Sequence, residues 1–207
     1  MEKVIDFVTV GSIETNCWLY APIDDNLPLP GMPGGKRPCV VIDPGDEAGL
    51  IISRLEELQW FPAFILMTHG HFDHVTALPD LYKAFCGKGD VSPQIGIHRL
   101  DAHYLEKNTL ARQLEEGDTA GPFKVLHVPG HTPGCVAFYD EKHSILFSGD
   151  TLFEGTWGRT DLEGGSDEQI YQSLRRLLSM KQDTVVCPGH GPATSIKDEQ
   201  RLLPHLG

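Results

Sequence analysis

The chain predicts an α+β fold in which helices cover sheets, rather than an all-β or all-α arrangement. Three observations carry this expectation. Apolar runs of strand length recur between Ile5 and Cys187, amphipathic helical stretches fall among them without strict alternation, and several runs end in a glycine next to histidine or aspartate. With 207 residues, 40% of them hydrophobic and 22% charged, the chain can build one compact domain with a sizeable core, so residues 1–207 are read as a single domain.

Ile5 to Val10, Asn16 to Tyr20 and Cys39 to Asp43 read as antiparallel strands at the edge of a sheet. The intervening residues 21–38 hold five prolines, which cannot donate to a ladder, so they read as a loop insertion, a surface excursion in preference to a flap. Asp43-Pro44-Gly45 breaks the third strand, and Glu47 to Gln59 sets Leu50, Ile51, Leu55 and Leu58 along one helical face. Ala63 to Thr68 has the apolar run of a buried strand. A helix is expected from about Asp73 through Ala77, Leu81 and Ala84. Gln94 to His98 follows as a strand, Leu100 to Glu106 as a short helix, and Phe123 to Val128, Val136 to Tyr139 and Ser144 to Phe147 as strands. Ser166 to Met180 is a helix with Ile170, Leu174, Leu177 and Leu178 on one face and Ser166 as N-cap. Thr184 to Cys187 is the last strand and Ile196 to Leu203 a terminal helix.

Composition excludes several classes. No apolar stretch is long enough for a membrane span, and the charged N-terminus lacks the apolar region of a signal peptide, so a cytoplasmic location is expected. Five widely separated cysteines without a C-x-x-C pair indicate neither a disulfide framework nor a zinc ribbon. The formal charge of −12, with no basic run to offset it, argues against a nucleic-acid partner.

The densest chemistry lies in Thr68-His69-Gly70-His71-Phe72-Asp73-His74, an H-x-H-x-D-H pattern on the turn leaving an apolar strand. Side chains at i and i+2 of an extended segment share a face, so His69 and His71 converge on one ion, while Asp73 and His74 at a helix start are displaced toward a second position. Imidazole suits zinc, iron, copper or nickel, and a carboxylate oxygen adds manganese. Three later strand ends each add a donor: His131 in Gly130-His131-Thr132-Pro133-Gly134, Asp150 after Ser148-Gly149, and His190 in Gly189-His190-Gly191. Five histidines and two aspartates exceed the needs of one tetrahedral ion and fit two ions sharing a carboxylate. His98, His103, His127, His143 and His205 read as surface, core or supporting residues, and Asp43 as a residue fixing the ligand loop or capping a helix.

These motifs, T-H-G-H-F-D-H (68–74), G-H-T-P-G (130–134), G-D-T-L-F (149–153) and G-H-G (189–191), resemble those of the metallo-β-lactamase superfamily, and within it those of glyoxalase II-type thioester hydrolases. The resemblance implies a four-layer αβ/βα sandwich with metals at one edge of two facing sheets. It implies His69, His71 and His131 on one divalent ion, Asp73, His74 and His190 on the other, and Asp150 bridging. Zinc is the first expectation and iron or manganese the alternatives. A hydroxide generated between two ions then cleaves a small-molecule thioester, S-lactoylglutathione or a related acyl thioester, with Asp73 orienting the nucleophile.

Glyoxalase II enzymes carry a C-terminal helical domain that contributes to glutathione binding. Only seventeen residues follow His190, so a short form without that domain is expected. Arg159 stands where the family's lysine contacts glutathione and offers a fork for a carboxylate, whereas the family's tyrosine two places later is Asp161. Gly158-Arg159-Thr160-Asp161 and the segment around His131 also resemble persulfide dioxygenases, which would use one iron on His69, His131 and Asp150. A β-lactamase, a nuclease and a non-catalytic metal-binding scaffold rank lower. Oligomeric state is not legible at this level.

Overall fold

The computed structural model describes residues 4–22, 33–87 and 91–206. Most of the proline-rich 21–38 insertion lies outside the described residues, and its last two positions, Arg37 and Pro38, already belong to a strand.

In chain order the strands are β1 (Ile5–Val10), β2 (Thr15–Tyr20), β3 (Arg37–Ile42), β4 (Trp60–Leu66), β5 (Gln94–His98), β6 (Ala111–Leu114), β7 (Thr119–Ala120) and β8 (Phe123–His127). They continue with β9 (Val136–Asp140), β10 (Ile145–Gly149), β11 (Leu152–Phe153), β12 (Thr156–Trp157), β13 (Val185–Pro188) and β14 (Thr194–Ser195). The α-helices are α1 (Ala48–Glu57), α2 (Phe72–Val75), α3 (Leu78–Phe85), α4 (Asp167–Leu178) and α5 (Ile196–Glu199). Two six-stranded sheets result, one ordered β1-β2-β3-β4-β5-β6 and the other β14-β13-β10-β9-β8-β7.

Side-chain alternation with period two explains why both faces of each sheet are buried. Trp18, Tyr20, Val40 and Ile42 meet Val136, Phe138 and Phe147 between the sheets, while Cys17, Leu19, Cys39 and Val41 turn outward to Ile51 and Leu55 of α1 and Leu81 and Phe85 of α3. On the other sheet, Ala137, Tyr139 and Leu146 turn outward to Ile170, Leu174, Leu177 and Leu178 of α4. The layers therefore run helix, sheet, sheet, helix, as the family resemblance implies.

The first three strands pair antiparallel with β1 at the edge, as expected, and β3 through β6 continue in parallel. Helix α4 starts as its sequence predicts, with the Ser166 side chain accepting from the Gln169 N–H. Several expectations are corrected. Leu50 does not join the buried face of α1 and is 49% exposed. The single helix expected from Asp73 is two, because Pro79 has no N–H to give Val75 and the Ala77 N–H turns to the Pro44 carbonyl. Leu100 to Glu106 forms only a 3-10 turn at Ala102–Tyr104, and the terminal helix is α for Ile196–Glu199 before becoming 3-10 through Pro204.

Strands β3, β4, β8, β10 and β13 all end at one edge of the sandwich, so their C-terminal turns collect there. Two backbone hydrogen bonds tie the sheets together at this edge, from the Val136 N–H to the Thr68 carbonyl at 2.8 Å and from the Asn16 N–H to the Gly189 carbonyl at 2.7 Å.

Removing the α4 cap by Ser166→Ala is expected to cost about 1 kcal/mol, and Leu174→Ala in the same helix about 2–5 kcal/mol through the cavity it leaves. Leu50→Ala should stay within about 0.5 kcal/mol of the parent. Denaturant unfolding of the three variants checks this ranking.

Candidate metal centre

The turn after β4 carries the first histidines. It does not continue the strand: the chain bends at Thr68 and His69, and His71, in an extended conformation, precedes α2. His69 and His71 nevertheless share a face, with ring centroids 4.8 Å apart. Asp73 and His74 lie in the single turn of α2, the turn after β8 brings His131, and Asp150 and His190 follow the adjacent parallel strands β10 and β13.

All seven side chains meet in one place. Three groups have donor atoms within 4.8 Å of one another: His69, His71 and His131; His69, His74 and Asp150; and Asp73, His74 and His190. Asp150 stands between the outer groups, its Oδ2 3.6 Å from His131 Nε2 and 3.5 Å from His190 Nε2, and its Oδ1 3.4 Å from His74 Nε2. Asp73 Oδ2 lies 3.3 Å from His190 Nε2 and 3.4 Å from His74 Nε2, and accepts a hydrogen bond from Thr15 Oγ1 at 3.2 Å.

Burial and charge set the protonation tendencies of the group. Burial pushes the His69 pKa down, and neighbouring His74 adds to the shift, so the ring is held neutral with its nitrogen free to ligate. His71 is lowered in the same way, by burial and by His131. Burial opposes charge on His74 as well, but Asp150 and Asp43 outweigh it and raise its pKa. Asp73 and Asp150 are also opposed by burial and held ionised by the histidines around them.

A metal fits this donor set. His69 Nε2, His74 Nε2 and Asp150 Oδ1 are buried without a hydrogen-bond partner, and the ion-pair contacts of His74 are off hydrogen-bond alignment. Buried polar atoms rarely lack partners, and here the unpartnered atoms face one another with the chemistry of divalent-cation ligands.

A second ring of groups orients the first. Asp43, at φ 55, accepts from the Thr68 N–H and Thr68 Oγ1 at 2.7 Å each and lies 3.0 Å from His74 Nδ1. It therefore anchors the ligand turn and caps no helix, since Glu47 precedes α1. His131 Nδ1 lies 2.7 Å from the Arg159 carbonyl and His190 Nδ1 3.2 Å from that of Ile13, which directs each Nε2 inward. Gly189 is required by space: a Cβ there would sit 2.2 Å from Asp150 Oδ1 and 2.8 Å from His74 Cε1.

Asp101 went unnoticed in the sequence. It is fully buried and takes hydrogen bonds from the Gly70 N–H at 3.0 Å and Thr132 Oγ1 at 2.6 Å, joining the turns that carry His71 and His131. Its signal was present, an aspartate just past a strand end, as for Asp150. His98 does not line the opening; it is buried and stacked on His127 at 4.3 Å. Cys135 is buried in the core with its thiol pushed up to about 12 by burial, so it offers no nucleophile.

Above the histidines opens a cleft of about 410 Å³, lined by His71, Asp73, His131, Asp150 and His190 at its base and by Ile13, Phe72, Phe153, Arg159 and Leu162 higher up. Arg159 is thus in the cleft wall, but its guanidinium is held by Asp161. Among the described residues, no helix is long and apolar enough to cross a membrane.

Comparison with known proteins gives the family. Residues 34–190 match the family model of the metallo-β-lactamase superfamily. The hydroxyacylglutathione hydrolase GloC of Haemophilus influenzae is 32% identical over 98% of this chain and 97% of its own. Among solved structures, TTHA1623 in a di-iron-bound form is 37% identical with a TM-score of 0.81, covering 97% of this chain and 99% of its own. The B3 metallo-β-lactamase BLEG-1 is 32% identical with a TM-score of 0.82, covering 98% and 99% of the two chains. ETHE1 from Myxococcus xanthus is 25% identical with a TM-score of 0.77, covering 99% and 84%. A sandwich with histidine and aspartate donors gathered at the shared edge of its sheets, matched by that family model over most of its length, places this chain in the metallo-β-lactamase superfamily as a metal-dependent hydrolase.

Proposed function

We propose that the protein holds two divalent ions and hydrolyses a thioester, with water attacking the carbonyl carbon, the C–S bond breaking, and an acid and a thiol leaving. The observation that carries this reading is the joining of two donor triads through Asp150 at the floor of an open cleft. His69, His71 and His131 would hold one ion and Asp73, His74 and His190 the other, with Asp150 available to both. When bound, two such ions acidify a water to near neutral pH and polarise the carbonyl. Zinc is the first assignment; the di-iron form of TTHA1623 keeps iron in contention, and manganese remains compatible with the donors.

The chain's own groups do the rest. Asp73, ionised and fixed by Thr15, presents a carboxylate oxygen that orients the attacking water. Asp43 and Asp101 keep the two ligand turns in register. The likeness to GloC supports a thioester as substrate.

A second reading, persulfide oxidation on one iron held by His69, His131 and Asp150, draws weight from the likeness to ETHE1. The second triad speaks against it. His74 is fully buried with its Nε2 unpartnered beside Asp73, an arrangement that one ion on His69, His131 and Asp150 leaves unsatisfied.

Metal analysis of the purified protein, with thioester, β-lactam and glutathione-persulfide substrates on the same sample, tests the assignment. Two ions per chain and thioester cleavage without oxygen uptake are expected; one iron with oxygen uptake, or no thioester cleavage by the loaded protein, overturns it. Chelation should abolish turnover and lower the melting temperature, and added metal should restore both. Gly189→Ala, which drives a methyl group into Asp150 and His74, should reduce metal affinity or activity by about 10- to 100-fold with an unchanged far-ultraviolet circular dichroism spectrum.

A further inference from the structure

The rim of the cleft has a character of its own. Ile13, Phe72 and Leu162 line it while 49%, 68% and 42% exposed, and half-buried Phe153 extends the same wall. They come from four separate segments: the β1–β2 turn, the start of α2, the stretch before α4 and strand β11. Large apolar side chains gathered around one opening mark a surface that a ligand covers, whereas single exposed ones need no explanation.

The charge at the rim points the same way. Among the described residues, Arg159 is the only lysine or arginine in the cleft wall. Its Nε and Nη2 donate to Asp161 Oδ1 and Oδ2 at 2.7 Å each, a bidentate pair that leaves no net positive charge. Arg159 also holds the Asp161 carboxyl down to about 2. A substrate carboxylate reaching for Arg159 must displace Asp161 or lie against it as a like charge.

We infer that Asp161 is a specificity-determining residue: paired with Arg159, it closes the cleft mouth to anionic arms, and the apolar rim of Ile13, Phe72 and Leu162 selects thioesters with an uncharged apolar arm. This rests on the hydrolase reading and narrows its substrate. A thioester arm with carboxylates, as in S-lactoylglutathione, meets a neutralised fork here, whereas a hydrocarbon arm of similar length covers three exposed side chains.

The test uses two non-cleavable thioethers of equal length, one ending in a methyl group and one in a carboxylate, titrated by calorimetry into the metal-loaded protein. The matched thioesters are assayed for kcat/KM alongside. The parent should bind the methyl probe about 10-fold tighter than the carboxylate probe. Asp161→Asn should tighten the carboxylate probe about 10-fold and leave the methyl probe within about twofold. Leu162→Ser should weaken the methyl probe alone. Equal binding of both probes by the parent, or no gain for the carboxylate probe in Asp161→Asn, overturns the inference. Because thioethers bind without reacting, the expected binding pattern together with no cleavage of any thioester would sink the hydrolase reading and leave the selectivity of the cleft standing.

Discussion

Backbone contact between the two sheets at one edge is the constraint on which the rest of this structure depends. Facing sheets ordinarily stand about 10 Å apart. Here side chains such as Tyr20, Phe138 and Phe147 fill the space between them. At the edge, the Val136 N–H reaches the Thr68 carbonyl, the Asn16 N–H reaches that of Gly189, and Trp18 Nε1 donates to the Pro188 carbonyl at 2.8 Å. Such closeness needs positions without side chains. Gly149, at φ 51, and Gly189 fill them, and a Cβ on Gly149 would lie 2.3 Å from Thr68 Oγ1. The side chains that flank these contacts are then forced into a common space.

That space is electrostatically costly when no cation balances it. Neighbouring imidazole rings crowd to centroid distances of 4.1 Å for His69 and His74 and 4.6 Å for His71 and His131, and burial disfavours charge on His69, His71 and His74. Each unpartnered buried polar atom costs on the order of 1–3 kcal/mol; His69 and Asp150 each have one and His74 has two. The surrounding network holds the arrangement in place regardless, with Asp43 in a left-handed backbone conformation and Asp101 spanning two turns. Bound cations offset the cost, so the preorganisation that makes the site expensive also makes it a strong receptor for metal.

Donors and cleft wall come largely from different segments. The donors sit in α2 and on the short turns that leave β4, β8, β10 and β13, whereas Ile13, Arg159 and Leu162 sit on other turns and connections. A scaffold divided in this way lets the cleft wall change with little effect on the donor set. The relatives fit that division, since proteins described as a hydroxyacylglutathione hydrolase and as a B3 metallo-β-lactamase both cover nearly the whole chain at 32% identity.

Local patterning made much of this protein legible before folding was considered. The apolar runs that became β1, β4, β9 and β10 and the buried stripe of α4 follow from periodicity, and the H-x-H-x-D-H turn concentrates donors too densely to overlook. Strands β6, β7, β11 and β12 were not legible, being two to four residues long and defined only by the partners they reach. Leu50 follows the helical stripe yet faces solvent, because α1 touches its sheet along a narrower band than the pattern allows. Asp101 and Thr15 looked like ordinary polar residues until packing set one across two ligand turns and the other against Asp73. Arg159 promised a free cation, but contact with Asp161 cancels its charge. Residue order thus dictates which groups stand at strand ends, since periodicity is a local property. Which of them touch, and which remain unpaired, was decided by how closely two sheets with separate hydrogen-bond ladders approach at one edge.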